Sequence, residues 1–219
     1  MSSQVRGGTR WKRFAVVMVP SVIATAAVGV GLAQGALAAS FSVSGQEFKV
    51  SADSLVGHDF VQYGSVATGK NLKGEDQAAP VAVSGFHDAT ITNMCQSVVT
   101  PNLPFGLGSV TLQLHAGDPK KKDKPVYAEG LYLDVSKLEG DAEFKNIDIG
   151  VAAGALPTKK GGTGIQPGTE DKVNPYGFSQ RAEEAKLTDV RQQAWATTAG
   201  TFKLPGLSLS LSKGVKECY

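Results

Sequence analysis

From Phe41 to the C-terminus, the apolar residues of this 219-residue chain fall largely on every second position. "GSVTLQLHAG" puts Val110, Leu112 and Leu114 on one side, and "VYAEGLYLDVSKL" does the same with Leu131, Leu133 and Val135. "FSVSGQEFKVSA", "PVAVSG", "ATITNMCQSVV", "AEFKNIDIGVAA" and "GTFKLPGLSLSLSKG" follow the same rule. A period of two belongs to a half-buried strand, where residues i and i+2 share a face. With 26 glycines and few aromatics, the chain reads as mainly β with many turns. We expect a single β-rich domain over residues 39–219, a sandwich or an irregular β-solenoid. Residues 156–177 have no periodicity and read as a flexible loop or a contact surface. One segment resists: "SQRAEEAKLTDVRQQAWATT" is rich in helix formers, with Ser179 placed to cap a helix. An echo described below runs through it and favours a strand.

The first 38 residues are of another kind. Arg6, Arg10, Lys12 and Arg13 precede the uncharged run Phe14 to Ala33, and "GALAAS" follows with Ala36 and Ala38 at small-residue positions. Basic flank, apolar run and A-x-A order are those of an export signal, cut after Ala38. The alternative is an uncleaved anchor, since about twenty apolar residues cross a bilayer. In both cases residues 39–219 end outside the cytoplasmic membrane. Of the 22 Lys and Arg, four lie in this segment, which leaves 18 against 20 Asp and Glu. A near-neutral exported part argues against nucleic acid as a partner. Its two cysteines, Cys95 and Cys218, read as a disulfide formed in an oxidising compartment, with two buried free thiols as the alternative.

Four short stretches echo one another: "HDFVQYG", "TNMCQSV", "AEFKNID" and "TDVRQQA". Each has an acidic or amide residue, then a large apolar residue, then Gln or Asn two places on. The apolar positions are Phe60, Met94, Phe144 and Val190, and the amides are Gln62, Gln96, Asn146 and Gln192. In strands each pair shares a face, so the amides are placed to bond along a ladder in a stacked or coiled β-architecture. Chance resemblance is the competing explanation, because the spacings are unequal.

Catalytic vocabulary is thin. No G-x-S-x-G elbow is present; the nearest stretch, "GLSLS" at Gly206 to Ser210, reads as a strand. His58–Asp59 and His87–Asp88 are sequence neighbours, which seldom meet as triad partners, and read as surface histidines. "GGTGIQPGT" lacks the Lys of a phosphate loop. The acidic residues have no calcium-loop spacing, and two cysteines with scattered histidines make no metal site, so no cofactor is expected. Lys120, Lys121, Lys122 and Lys124 read as a solvated turn, or as attraction to anionic lipid or wall polymer.

Through its signal, its alternating strands and the stretches "NMCQSV", "QQAWATTAGTF" and "KECY", most of residues 10–219 resembles the exported, signal-anchored envelope proteins of unknown function found in Streptomyces and related actinobacteria. Members often carry the label "cholesterol esterase" and are commonly encoded beside a small multi-pass membrane protein. The resemblance implies an envelope location and a membrane partner, and brings no catalytic residues. The expected function is therefore non-enzymatic: a structural, interaction or lipid-handling module at the outer face of the cytoplasmic membrane. The alternative is a lipid (steryl) ester hydrolase with a non-standard site.

Overall fold

A computed structural model of the chain describes residues 43–104, 106, 108–156 and 163–219. Residues 1–38, expected to be an export signal or anchor with Ala36 and Ala38 at its cleavage site, lie outside the described residues. Among the described residues the elements are nine strands and three single-turn 3-10 helices: β1 (Phe48–Lys70), β2 (Asp76–Thr92), β3 (Met94–Leu103), β4 (Gly108–Ala116), β5 (Val126–Lys145), β6 (Asp148–Ala152), β7 (Phe178–Thr198), β8 (Thr201–Lys203) and β9 (Ser208–Lys213). The domain is mainly β, and the helix-favouring segment around Ala185 is the 21-residue strand β7. Its apolar positions decide this. Ala182, Ala185, Leu187, Val190, Ala194 and Ala196 are all buried, between β1 on one side and β5 on the other. Burial against two neighbours overrides local preference.

Four strands of 17 to 23 residues close a ring. β1 pairs with β2, β2 with β5, β5 with β7, and β7 returns to β1, all antiparallel. The β1–β2 hairpin turns at Asn71, whose side-chain oxygen accepts from the amides of Lys73 and Glu75. Beyond Asn93, β3 continues along β1 in the same register; beyond Asn146, β6 continues along β7. The strands β3, β4 and β9 form a three-stranded extension of the ring.

The echoes mark where the strands slip. Asp59, Asn93, Asn146 and Asp189 have φ of 50, 53, 52 and 51°. Asp and Asn enter this left-handed region at the least cost after Gly. A residue so placed interrupts the alternation, as a bulge does, so that positions i−2 and i+1 both turn inward. The inward pairs are Gly57 and Phe60, Ile91 and Met94, Phe144 and Ile147, and Leu187 and Val190. Gly57 is glycine because Phe86 packs on the backbone there; a Cβ would sit 2.3 Å from its ring. Three of the echoes thus align on their first residue. In the third, the left-handed residue is Asn146 rather than Glu143, so its structural counterpart of Phe60 is Ile147, and Phe144 corresponds to Ile91.

The same four residues reveal an approximate twofold. Asp53 on β1 lies opposite Asn93 and Asp189, its neighbours on either side, and Asn93 Nδ2 donates to Asp53 Oδ1 at 3.1 Å. Glu183 on β7 lies opposite Asn146 and Asp59, and Asn146 Nδ2 donates to Glu183 Oε2 at 2.6 Å. Exchanging β1 with β7 and β2/β3 with β5/β6 maps one arrangement on the other. Phe60 and Gln62 then correspond to Val190 and Gln192.

Two apolar cores fill the domain. The larger holds Phe60, Phe86, Met94, Leu131, Leu187 and Val190, and the second holds Val61, Tyr63, Val81, Val83, Leu156 and Val173. The described part of the long connection between β6 and β7 packs over the second core. Thr163, Gln166 and Val173 are buried there, and the amide of Gln166 donates to the Tyr63 hydroxyl at 2.8 Å.

Candidate functional site

Five of the eight echo positions meet in one place. Phe60, Gln62, Phe144, Val190 and Gln192 line a cavity of about 210 Å3 inside the ring, together with Leu55, Ser84, Phe86, Leu133 and Leu187. The ring of Phe60 stacks against Phe86 and Phe144, each with its centroid 5.3 Å away. The cavity opens where β5 leaves β2. Their pairing ends at Ala82 and Val135, while β5 runs on beside β7 to Lys145. Beyond that point Leu138, Gly140 and Ala142, exposed on the strand, form the mouth.

Its polar groups are ordered. Gln180 Nε2 donates to Gln62 Oε1 at 2.7 Å, and Gln62 Nε2 donates to Ser84 Oγ at 2.9 Å. An amide ladder therefore forms, across β7, β1 and β2, although Gln180 is no echo position. Ser84 is 3% exposed. With its oxygen accepting from Gln62, its own proton has no acceptor among the described residues. Sequence reasoning missed Ser84 and Phe86 because "PVAVSGF" buries both faces, leaving no alternation to read there.

The remaining positions lie elsewhere. Met94 is buried in the larger core. Gln96 lines a groove of about 460 Å3 with Val43, Phe48, Trp195 and Phe202. Asn146 and Asp59 line a mixed polar and apolar groove of about 580 Å3. Cys95 and Cys218 are bonded, with Cα atoms 5.9 Å apart, beside a groove of about 740 Å3 that also holds Asp53, Asp189 and Arg191. The bond fixes the C-terminal tail over β3 and β4. Thr111 Oγ1 donates to Gly214 O, the Cys218 amide donates to Ser97 Oγ, and Lys49 pairs with Glu217 at 2.9 Å. A disulfide is compatible with an exported location.

On the opposite face of that extension, Leu114 packs against the larger core and Leu112 is half-buried, but the outer edge is bare. Leu209 and Leu211 of β9 stand opposite Leu114 and Leu112 of β4, so the four share one face. Leu209 and Leu211 are 60% and 69% exposed, and β9 is the last strand on its side. The exposed Lys120, Lys121, Lys122 and Lys124 lie in the turn next to it, where the Gly117 amide donates to Pro205 O at 2.8 Å. Two aspartates, Asp118 and Asp123, share this turn.

Titratable groups are assembled in two further places. His58 Nδ1 is 2.8 Å from Asp88 Oδ2 and its Nε2 is 3.8 Å from Glu184 Oε2. Both ring nitrogens thus face carboxylates, leaving none to activate a serine. In the second core, burial pushes the carboxyl of Asp134 up to about 6, against a smaller opposing effect of Lys172. Burial likewise raises the hydroxyls of Tyr63 and Tyr132 above the ordinary tyrosine value. No group of three or more metal-ligating side chains occurs among the described residues, and no helix among them is long and apolar enough to cross a membrane.

Neither the curated proteins nor the solved structures contain a match to this chain. A family model described as "Family of unknown function (DUF6230)" matches residues 44–219, the whole of the ring, its extension and the C-terminal tail, and the chain belongs to that family.

Proposed function

We propose that the protein is a non-enzymatic module of the cell envelope, exported and working at the outer face of the cytoplasmic membrane. It meets an anionic bilayer through the bare outer edge of the β3–β4–β9 extension, at Leu209 and Leu211. The observation that carries this reading is the pairing of an open leucine face with a lysine turn. Apolar side chains gain by leaving water, about 1.5–3 kcal/mol for a fully buried Leu. Each Lys near an anionic surface adds about 1 kcal/mol. The two aspartates of the turn offset part of this, so contact is reversible and suits a domain already held close by a leader or a partner. Against hydrolysis stand the missing serine elbow and the carboxylate-bound His58. A cavity of about 210 Å3 is also too small for a sterol, given that an apolar cavity of ~150 Å3 holds a benzene ring.

Vesicle sedimentation tests this. Residues 39–219 should pellet with vesicles containing phosphatidylglycerol, less with phosphatidylcholine alone, and should be released by salt. Replacing Leu209 and Leu211 together with Asn, or Lys120 and Lys121 with Glu, should abolish pelleting. Pelleting that survives both variants would reject the surface. Self-association through β9 in place of vesicle binding would reject the bilayer as its partner. Turnover of a nitrophenyl ester that a serine-reactive inhibitor stops would restore the hydrolase.

A further inference from the structure

We propose that the cavity at Phe60, Phe144 and Val190 binds a neutral, short aliphatic chain carrying one carbonyl. This site is separate from the leucine face, and neither depends on the other.

Size limits the occupant first. If an apolar cavity of ~150 Å3 takes the six carbons of benzene, one of about 210 Å3 takes roughly eight. Charge limits it next. Among the described residues, no ionisable side chain lines the cavity. An anionic head would lose its hydration and find no cation in the lining to pair with, so the ligand is neutral. The hydrogen-bond order sets the head group. Gln62 is held by Gln180 and occupied with Ser84, and the Ser84 hydroxyl then has one proton to give. A buried donor without a partner costs free energy, and a ligand carbonyl satisfies it. The chain fits among Leu55, Phe86, Leu133 and Leu187. Gly140 and Ala142, small residues where the same face of β5 holds Leu138 and Phe144, leave the way in open. The approximate twofold brings Gln62 and Gln192 to the same cavity, which accounts for the two echoes that correspond most closely.

Methyl pentanoate, with eight non-hydrogen atoms, serves as the probe, with sodium pentanoate as its charged counterpart. Both cores and the disulfide lie within residues 43–219, so residues 39–219 are the protein to use. Saturation-transfer NMR should show the ester chain bound and pentanoate bound much more weakly. Ala142→Phe, at an exposed position on the mouth, should abolish the transfer while leaving circular dichroism and vesicle sedimentation unchanged. Leu138→Trp should do the same. Ser84→Ala should weaken ester binding about fivefold, the scale of one lost hydrogen bond. The proposal fails if the wild type shows no transfer, if transfer survives both mouth variants, or if pentanoate binds as tightly as the ester. Vesicle binding is read separately, so either surface can fail without the other.

Discussion

The ring and its three-stranded extension are built from the same alternating sequence, yet they treat their leucines in opposite ways. In the ring, Leu131 and Leu133 are sealed between β2 and β7. In the extension, Leu209 and Leu211 repeat the pattern and stand in solvent. The difference is closure. Each long strand of the ring has a neighbour on both edges, and the sheet curls until its apolar face meets itself. β9 has one neighbour; the disulfide-tied tail covers one side of its sheet, and on the other side the core reaches Leu114 but leaves Leu209 and Leu211 uncovered. Alternation tells which residues share a face. What lies opposite that face depends on pairings distant in sequence.

The sharpest way to break this contrast is to cut the tie. Cys95 and Cys218 are 123 residues apart, and closing so long a loop stabilises by up to about 4–5 kcal/mol in the chain-entropy model. Replacing both with Ala should lower the melting temperature by roughly 8–20 °C. Hydrogen exchange should then rise first in β4 and β9, with β1 and β7 keeping their protection. Equal loss of protection in the ring would show that the two regions unfold as one and that the tail supports both.

Matched truncations come next. Phe60 is 4% exposed and stacks on two other rings, so Phe60→Ala should cost about 3–5 kcal/mol in denaturant unfolding. Leu211→Ala, at a 69% exposed position, should stay within about 0.5 kcal/mol. A cost above roughly 1.5 kcal/mol at Leu211 would mean that its face is covered in solution.

The same contrast explains how far the sequence could be read. Strand identity was legible from alternation, and β7 was legible only because "TDVRQ" echoed the others against its helix-forming composition. The slip positions were half legible. Asp59, Asn93 and Asp189 head their echoes, since Asp and Asn are the side chains that tolerate a positive φ. Asn146 escaped this reading because Phe144 offered a better match to the apolar position than Ile147 did, and the frame moved by three residues. Ring closure through β1 and β7 left no trace in either strand. Hence nothing announced that Gln62, Ser84 and Gln192 would share a cavity. Asp134 was equally silent: it sits among alternating apolar residues in "LYLDVS", where a strand's outward face normally puts a charge. In the folded chain that face is covered by the connection between β6 and β7.

That buried carboxylate gives the smallest and most specific difference between the two regions. Asp134 is 9% exposed, and its carboxyl rises from the ordinary range to about 6 because burial disfavours the anion. Lys172 opposes the shift, and Tyr63 and Tyr132 face the same core without charge at neutral pH. Between about pH 4 and pH 6 the folded chain holds a proton that the unfolded chain releases. Stability from this group therefore falls as pH rises through that window and stays low above it, by up to about 3 kcal/mol. Asp134→Asn removes the charge and keeps the size. It should raise the melting temperature at pH 7 and flatten the decline between pH 4 and 6, with hydrogen exchange in β4 and β9 unchanged. An unaltered pH profile in the variant would mean that Asp134 reaches solvent and that the connection over the second core opens. Increased protection in β9 would couple the extension to the ring's polar core, and the two regions would no longer be separable.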